Sequence, residues 1–515
     1  MDTNDTNPLQ PQISPDGGVI MAAEPPPPPP PLPQETVIIP PPSGIGVSGS
    51  VSPQGSYVPN LVVPPAGMGA GNPSQSGSST GFLRKLLVYG GAFVFLLAIV
   101  LFVRSLVTKV AQPKEVTITY WGLWENDTTV RGMISEFEAK NPKIKVQYIK
   151  QSPKQYRERL QSAINRGEGP DAFRFHNTWV PMLHNQLAPV PTTVMTPQDF
   201  SSTFFQIVST DLMAGSTIFG IPMMIDGLGL YINQDLLATA GVTAPVTWTD
   251  VLNMVPKLTV KNGTAIVTSA IALGTTGNVE HFSDILALMF LQNGANLTTI
   301  TGKEAEQTLI FYRKFADPSD PLYTWSDGMD NSISAFAAGR VAMILAPSWR
   351  AHDIALINPQ LRFNVVPVPQ LPGNSVAWAS YWAEGVSTKS KSQAQAWEFV
   401  KYLTGREATA RLYTDSAKTR LFGEPYARVD LANSIQDDPY AGAYVKQALF
   451  ARSFPLASRT FDNGINDKLI KYLEDAVNAM VAGGSPTQVL QTASSGFRQV
   501  LSSYGLIAAS TPAAK

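Results

Sequence analysis

Three short stretches of this chain set tryptophans beside carboxylates and amides: Trp121-Gly-Leu-Trp124-Glu125-Asn126, Phe175-His176-Asn177-Thr178-Trp179 and Trp378-Ala-Ser-Tyr381-Trp382-Ala-Glu384. An indole offers a broad apolar face. A neighbouring Asp, Glu, Asn or Arg offers planar hydrogen-bonding groups. Together they suit a saccharide, whose ring faces carry C–H groups and whose rim carries hydroxyls. Each stretch also has a structural reading. Asn126 and Asn177 stand where helices begin and can act as N-caps, and His176 fits an ordinary structural histidine. Alternation leaves Trp121 ambiguous, and it is assigned to the core. Trp124 and Glu125 fall in the following loop and are assigned to a ligand crevice. Three aromatics within five residues exceed what one buried strand face needs. Period two separates Trp378 and Trp382 from Tyr381, so at least one set should leave the core. Tyr381 and Trp382, with Glu384, are the candidates.

The remaining chemistry is mostly exclusion. There is no cysteine among the 515 residues, so disulfides, thiolate metal sites, cysteine nucleophiles and a lipoprotein anchor are ruled out. Four histidines, His176, His184, His281 and His352, show no metal-ligand spacing. No G-x-S-x-G, H-E-x-x-H or phosphate loop occurs. No cofactor or metal is therefore expected. A net charge of −1 gives no field that would attract nucleic acid.

These residues need strands and helices to hold them, and the pattern supplies both from Glu115 onward. Val116, Ile118 and Tyr120 alternate as in a half-buried strand. Val130, Met133, Ile134 and Phe137 repeat at helical spacing, and Asn141-Pro142 ends that helix. Strand, helix, strand, helix and strand follow in turn to Phe175, which implies right-handed crossovers and a largely parallel sheet. Thr247-Trp-Thr-Asp250 reads as a capping box. Further helices are expected near 280–293, 302–316, 330–338, 347–357, 391–404, 438–452, 464–482 and 486–503.

Residues 1–83 differ in kind. They are rich in Pro, Gly and Ser, with seven prolines from Pro25 to Pro31. Such composition buries too little apolar surface to offset ordering entropy, so disorder is expected. Leu86–Val103 then carries no charge and is bracketed by Arg84, Lys85 and Arg104. At about 1.5 Å per residue it approaches the roughly 30 Å of a bilayer's hydrocarbon, so 84–110 is read as one transmembrane signal anchor. Basic residues on both sides leave its orientation open.

Six segments in register resemble the family 1 extracellular solute-binding proteins of ABC importers, the maltose-binding-like group. They are ITYWGLWEND, FEAKNPKIKV, GPDAFRFHNTWVPMLHNQLAPVP, IPMMIDGLGLYINQDLLATAGVTAPVTWTDV, AFAAGRVAMILAPSW and VSTKSKSQAQAWEFVKYLTGREA. The resemblance runs from about 115 to 505. It implies a two-lobed α/β Venus-flytrap fold, with hinge crossings near Met224–Gly227 and Val365–Pro367. One lobe would hold 115–225 and 367–425, the other 227–364 and 430–505. It implies a sugar ligand, an ABC permease partner, and an extracellular folded part with a cytoplasmic N-terminus. It adds Asn177 and Trp179 after the third strand, Asp226 at the hinge, and Trp349 with Arg350 at a turn of the second lobe. His281, near a helix start facing the cleft, completes the set. The alternatives are a carbohydrate-active enzyme using two carboxylates and a surface sensor or adhesion module.

Overall fold

The computed structural model describes residues 96–99, 115–125 and 127–508. The expected low-complexity segment lies outside these residues. So does the expected membrane span, except for 96–99, which are helical. Among the described residues no helix is long and apolar enough to cross a membrane.

Two five-stranded sheets carry the fold. The first has the order β2-β1-β3-β11-β4. Its strands are β1 (Val116–Gly122), β2 (Ile144–Lys150), β3 (Ala172–His176), β4 (Ile221–Pro222) and β11 (Trp382–Val386). β1 runs parallel to both β2 and β3, as alternating strands and helices require. The crossover helices are α1 (Asp127–Lys140), which buries Val130, Met133, Ile134 and Phe137, and α2 (Tyr156–Arg166). Gly167 closes α2 in the left-handed region, with φ 76, where a side chain would be strained. β11 enters antiparallel between β3 and β4.

The second sheet has the order β9-β5-β8-β7-β6. It is built from β5 (Gly229–Asn233), β6 (Val260–Asn262), β7 (Ala265–Ile271), β8 (Val341–Ala346) and β9 (Phe363–Val366). Helix α3 (Trp248–Leu258) opens with the expected capping box between Thr247 and Asp250. Around this sheet lie α4 (Phe282–Gln292), α5 (Lys303–Lys314) and α6 (Arg350–Ile357). The last helices, α9 (Ile465–Val481) and α10 (Pro486–Ser503), pack on each other and on α5, and α9 also meets α4.

Two expected boundaries shift. The second crossing does not fall at Val365–Pro367. Those residues end β9, and the chain stays with the second sheet: Trp248 N–H donates to Gln370 O, and Gln292 Nε2 donates to Pro369 O and Val376 O. The chain crosses at β10 (Ala377–Trp378) and Ala379–Ser380. The single helix expected over 438–452 is a short one, Gly442–Gln447, followed by a 3-10 turn and β12 (Ala451–Arg452). β12 breaks the helical run because it pairs in parallel with β10. Helices α7 (Gln393–Leu403) and α8 (Arg406–Ser416) follow β11; α8 has no counterpart among the expected elements.

The first crossing, 224–228, is gripped from two sides. Ile225 N–H donates to Pro425 O at 2.8 Å, and Ser380 N–H donates to Asp226 O at 2.9 Å. The chains approach so closely that a Cβ on Gly227 would overlap the Trp378 carbonyl oxygen. Backbone cannot retreat as a flexible side chain can. Gly227→Ala should therefore cost about 3 kcal/mol in urea unfolding, the upper range for overpacking. Gly277→Ala, where a Cβ meets nothing, should change stability by less than about 0.5 kcal/mol.

Candidate ligand-binding site

In an open α/β sheet a ligand crevice forms outside the carboxyl ends of the strands, and β3 carries a buried cation at its middle residue. Arg174 has no exposure. Its Nε donates to Glu384 Oε1 on β11 at 2.7 Å, its Nη1 to Glu125 Oε1 beyond β1, and its Nη2 to the Tyr120 hydroxyl at 3.3 Å. Burial raises both carboxyl pKa values, but the two acids part. For Glu125 the charge and hydrogen bond of Arg174 prevail and its pKa is lowered; Glu384, facing Glu125 as well, stays raised.

Several residues expected to face ligand are instead part of a buried floor. Glu384 is 1% exposed and tied to Arg174. Asn177 accepts from Tyr381 N–H at 3.1 Å and donates to Asp211 at 2.9 Å, so both ends of its amide are used. The Tyr381 hydroxyl donates to the same Asp211 oxygen at 2.9 Å, and Tyr381 and Trp179 are fully buried. Tyr381 adjoins the end of the β11–β3 ladder, and Asn177 N–H donates to its carbonyl at 2.9 Å. His281 is also buried, with Nδ1 2.7 Å from Ser458 Oγ.

Above the floor the aromatics emerge. Trp124 is 40% exposed and meets Trp382 edge-on with ring centres 5.6 Å apart. Half-buried Trp382 rests in turn on Trp179, at 5.1 Å, and on His176, at 5.0 Å. Trp121 is half-buried against the core. On the second sheet, at the turn after β8, Trp349 is 37% exposed. The Arg350 guanidinium lies 4.0 Å from its ring centre, and the His281 ring stands edge-on at 5.9 Å. Arg350 is held by Glu280 and Asp353, and Arg459 shares Glu280.

Asp226 joins the two groups. Its carboxylate accepts from Gly227 N–H at 2.8 Å, Ser348 N–H at 3.0 Å and Ser348 Oγ–H at 2.8 Å. The hinge acid thus grips the residue preceding Trp349. Burial pushes its pKa up to about 7, against the pull of these hydrogen bonds.

Sequence reasoning missed Arg174, Asp211, Glu280 and Ser348. Arg174 had a signal: a lone charge inside the apolar strand AFRFH. Asp211 had none, because its partners Asn177, Tyr381 and Ser453 are scattered along the chain.

The family model for bacterial extracellular solute-binding proteins matches residues 121–410, more than half of the chain. This protein belongs to that family. A multiple sugar-binding protein of Streptococcus mutans is 23% identical over 321 residues, covering 59% of this chain and 76% of that protein. Among solved structures, the sugar-binding protein MalE of Xanthomonas citri superposes with a TM-score of 0.62 at 20% identity, covering 75% of this chain and 98% of that one. An ABC substrate-binding protein of Listeria monocytogenes in complex with cycloalternan gives 0.59 at 20% identity, covering 75% and 98%. The two sheets with their joining segments are thus the two-lobed α/β fold of solute-binding proteins.

Removing Arg174 strands two buried carboxyl groups. Arg174→Met should cost about 3–5 kcal/mol in denaturant unfolding. Asp226 makes a pH prediction. Its folded pKa of about 7 exceeds the ordinary 3.8, so the folded state holds a proton that the unfolded chain has released. The linked stability is complete below about pH 4 and is lost as pH rises through about 7. Asn mimics the protonated acid, so the melting temperature of Asp226→Asn relative to wild type should rise from pH 5 to pH 8. A constant difference would mean that Asp226 is ionised throughout.

Proposed function

We propose that this family member is an anchored extracellular binding protein that captures a carbohydrate, in particular an oligosaccharide, and hands it to an ABC permease. The observation that carries the reading is the pair of exposed indole faces, Trp124 with Trp382 on the first sheet and Trp349 on the second, flanking the hinge acid Asp226. Apolar ring faces on both sides of a hinge suit a flat C–H surface held between two lobes, and contacts made only when both meet the ligand would drive closure. The sugar ligands named for the relatives support the same class. In this reading the lobes are 115–225 with 381–428, and 227–376 with the C-terminal helices. The segment 84–110 spans the membrane once, with the N-terminus in the cytoplasm.

Glu125 and Glu384 are both committed to one guanidinium, which favours binding over the paired-carboxylate hydrolysis of a glycosidase. Thermal-shift measurements against malto-oligosaccharides, mannotriose and cycloalternan test the reading. At least one should raise the melting temperature and be recovered uncleaved. Trp124→Ala and Trp349→Ala should each weaken that ligand tenfold or more with little change in the unliganded melting temperature, whereas Trp121→Ala should chiefly lower stability. If no carbohydrate shifts the melting temperature while another solute class does, the sugar reading fails.

A further inference from the structure

Two acids grip the same pair of crossing strands from opposite sides. β10 and β12 run parallel, with Ala377 beside Ala451 and Trp378 beside Arg452, and Ala379 N–H donates to Arg452 O at 2.9 Å. Just beyond their ends, Tyr381 and Ser453 both reach Asp211, on the helix Gln206–Leu212 that precedes the first crossing. Asp211 Oδ2 accepts from the Tyr381 hydroxyl and from Asn177 Nδ2, each at 2.9 Å, and Oδ1 accepts from the Ser453 hydroxyl. Asp284 of α4, beside the second sheet, is arranged alike. Its Oδ1 accepts from Trp378 Nε1–H at 3.1 Å and its Oδ2 from Ser458 N–H at 3.0 Å. Each acid thus holds one aromatic of the second crossing and one serine of the segment 453–458.

That segment leads to both exposed platforms. At one end Asp211 joins Ser453 to Tyr381, the neighbour of Trp382. At the other, Ser458 Oγ lies 2.7 Å from His281 Nδ1, and the His281 ring stands edge-on to Trp349. In between, Phe454 stacks on Phe497 of α10 with ring centres 6.4 Å apart, and Leu456 and Ala457 are buried. Packing along its length makes the segment stiff.

The two pins differ in their access to water: Asp284 is buried and Asp211 is half-buried. Desolvation raises the Asp211 pKa to about 6, against the pull of its three hydrogen bonds. The side chains that meet it carry no charge at neutral pH. Tyr381 is the titratable one, and burial together with Asp211 holds its hydroxyl well above the usual range. Of the elements packed on the Asp211 helix, the turns 177–179 and 448–450 have no ionisable side chain, and Asp199 of Pro197–Thr203 is exposed and bonded to Thr196. Arg452, next to Ser453, is exposed and turns back on the Ala451 carbonyl. At the second pin, burial and then the charges of Arg350 and Arg459 hold His281 neutral.

We propose that the segment 453–458 is a strut that sets the separation of the two indole platforms, with Asp211 and Asp284 as the positioning residues that pin its ends and with protonation of Asp211 tightening the first pin. The strut rests on the reading of Trp382 and Trp349 as two sides of one ligand site. Freed into water, the Asp211 carboxyl returns toward its ordinary 3.8, so the pinned state keeps a proton that the released state gives up. Acid therefore favours the pin, and the preference fades as pH rises through about 6. A shift of that size permits about a hundredfold change in the pinned-to-released ratio; with a half-buried carboxyl about tenfold is expected.

The chain has no cysteine of its own, so two spin labels report the separation directly. Ser135→Cys on α1 and Gln491→Cys on α10, both exposed, label the two sides in the full chain in detergent. Electron–electron resonance should give one narrow distance at pH 5 and a second, broader population at pH 8, the ratio changing about tenfold. Asp211→Asn mimics the protonated acid: its carbonyl accepts from Asn177 and Tyr381 and its amide donates to Ser453 Oγ. It should stay narrow at both pH values. Asp226→Asn, at the other hinge acid, should keep the wild-type pH response. Ser453→Ala, which removes one hydroxyl, should broaden the distance at both pH values and decides the matter if Asp211→Asn fails to fold. A wild-type distance unchanged between pH 5 and pH 8, or a response that persists in Asp211→Asn, overturns the strut. No ligand is present, so failure here leaves the carbohydrate reading standing, and loss of that reading leaves the measured separation intact.

Discussion

A guanidinium with no access to water must be neutralised where it lies, and in this protein that demand on Arg174 organises the first lobe. From β3 its fork reaches two other strands or their ends: Tyr120 and Glu125 at β1, and Glu384 on β11. β11 comes after the whole second sheet in the chain. The ion pairs therefore bind the returning segment to a strand whose Arg174 lies 210 residues earlier than Glu384. Desolvation makes such a cluster a poor source of net stability, but its loss is costly once built. Here it also aims Glu125 and sets the floor on which Trp382 and Trp124 rest.

The second constraint is the hinge, where the crossing segments leave no room for a side chain at Gly227. Asp226 holds Ser348 from the other sheet, and Trp378 at the second crossing donates to Asp284 on α4 at 3.1 Å. A third connection runs through the loop before α9. Asn466 donates to Thr178 at 2.9 Å, Arg157 to the Asp462 carbonyl at 2.6 Å, and Asn463 to Glu158 at 3.1 Å. In that loop Arg459, Phe461 and Asn463 all hold positive φ, a strain of about 1–3 kcal/mol each. Buried Asp462 offsets it by accepting from the backbone of Gly464, Asn466 and Asp467.

Local pattern made much of the framework legible. The β1–α1–β2–α2–β3 series, the Thr247 capping box and the last two helices follow from alternation, helical period and cap chemistry, all of which act within a few residues. The exposed indoles could be suspected for the same reason, since Trp124 lies beyond the end of a strand that alternation defines. The burial of Asn177, Trp179, Tyr381 and Glu384 could not. Each is covered by partners that come from distant parts of the chain.

By itself, then, the sequence determined most element types, the cysteine-free chemistry, the family and the clustering of tryptophans with polar residues near strand ends, because those depend on composition and short-range spacing. Tertiary structure decided which of those residues form floor and which form surface. It joined Arg174 to two acids far apart in the chain and placed the second crossing at β10 instead of the end of β9. The physical reason is that burial and ion pairing depend on strand order, and strand order here is fixed by a segment that returns only after the second sheet is complete.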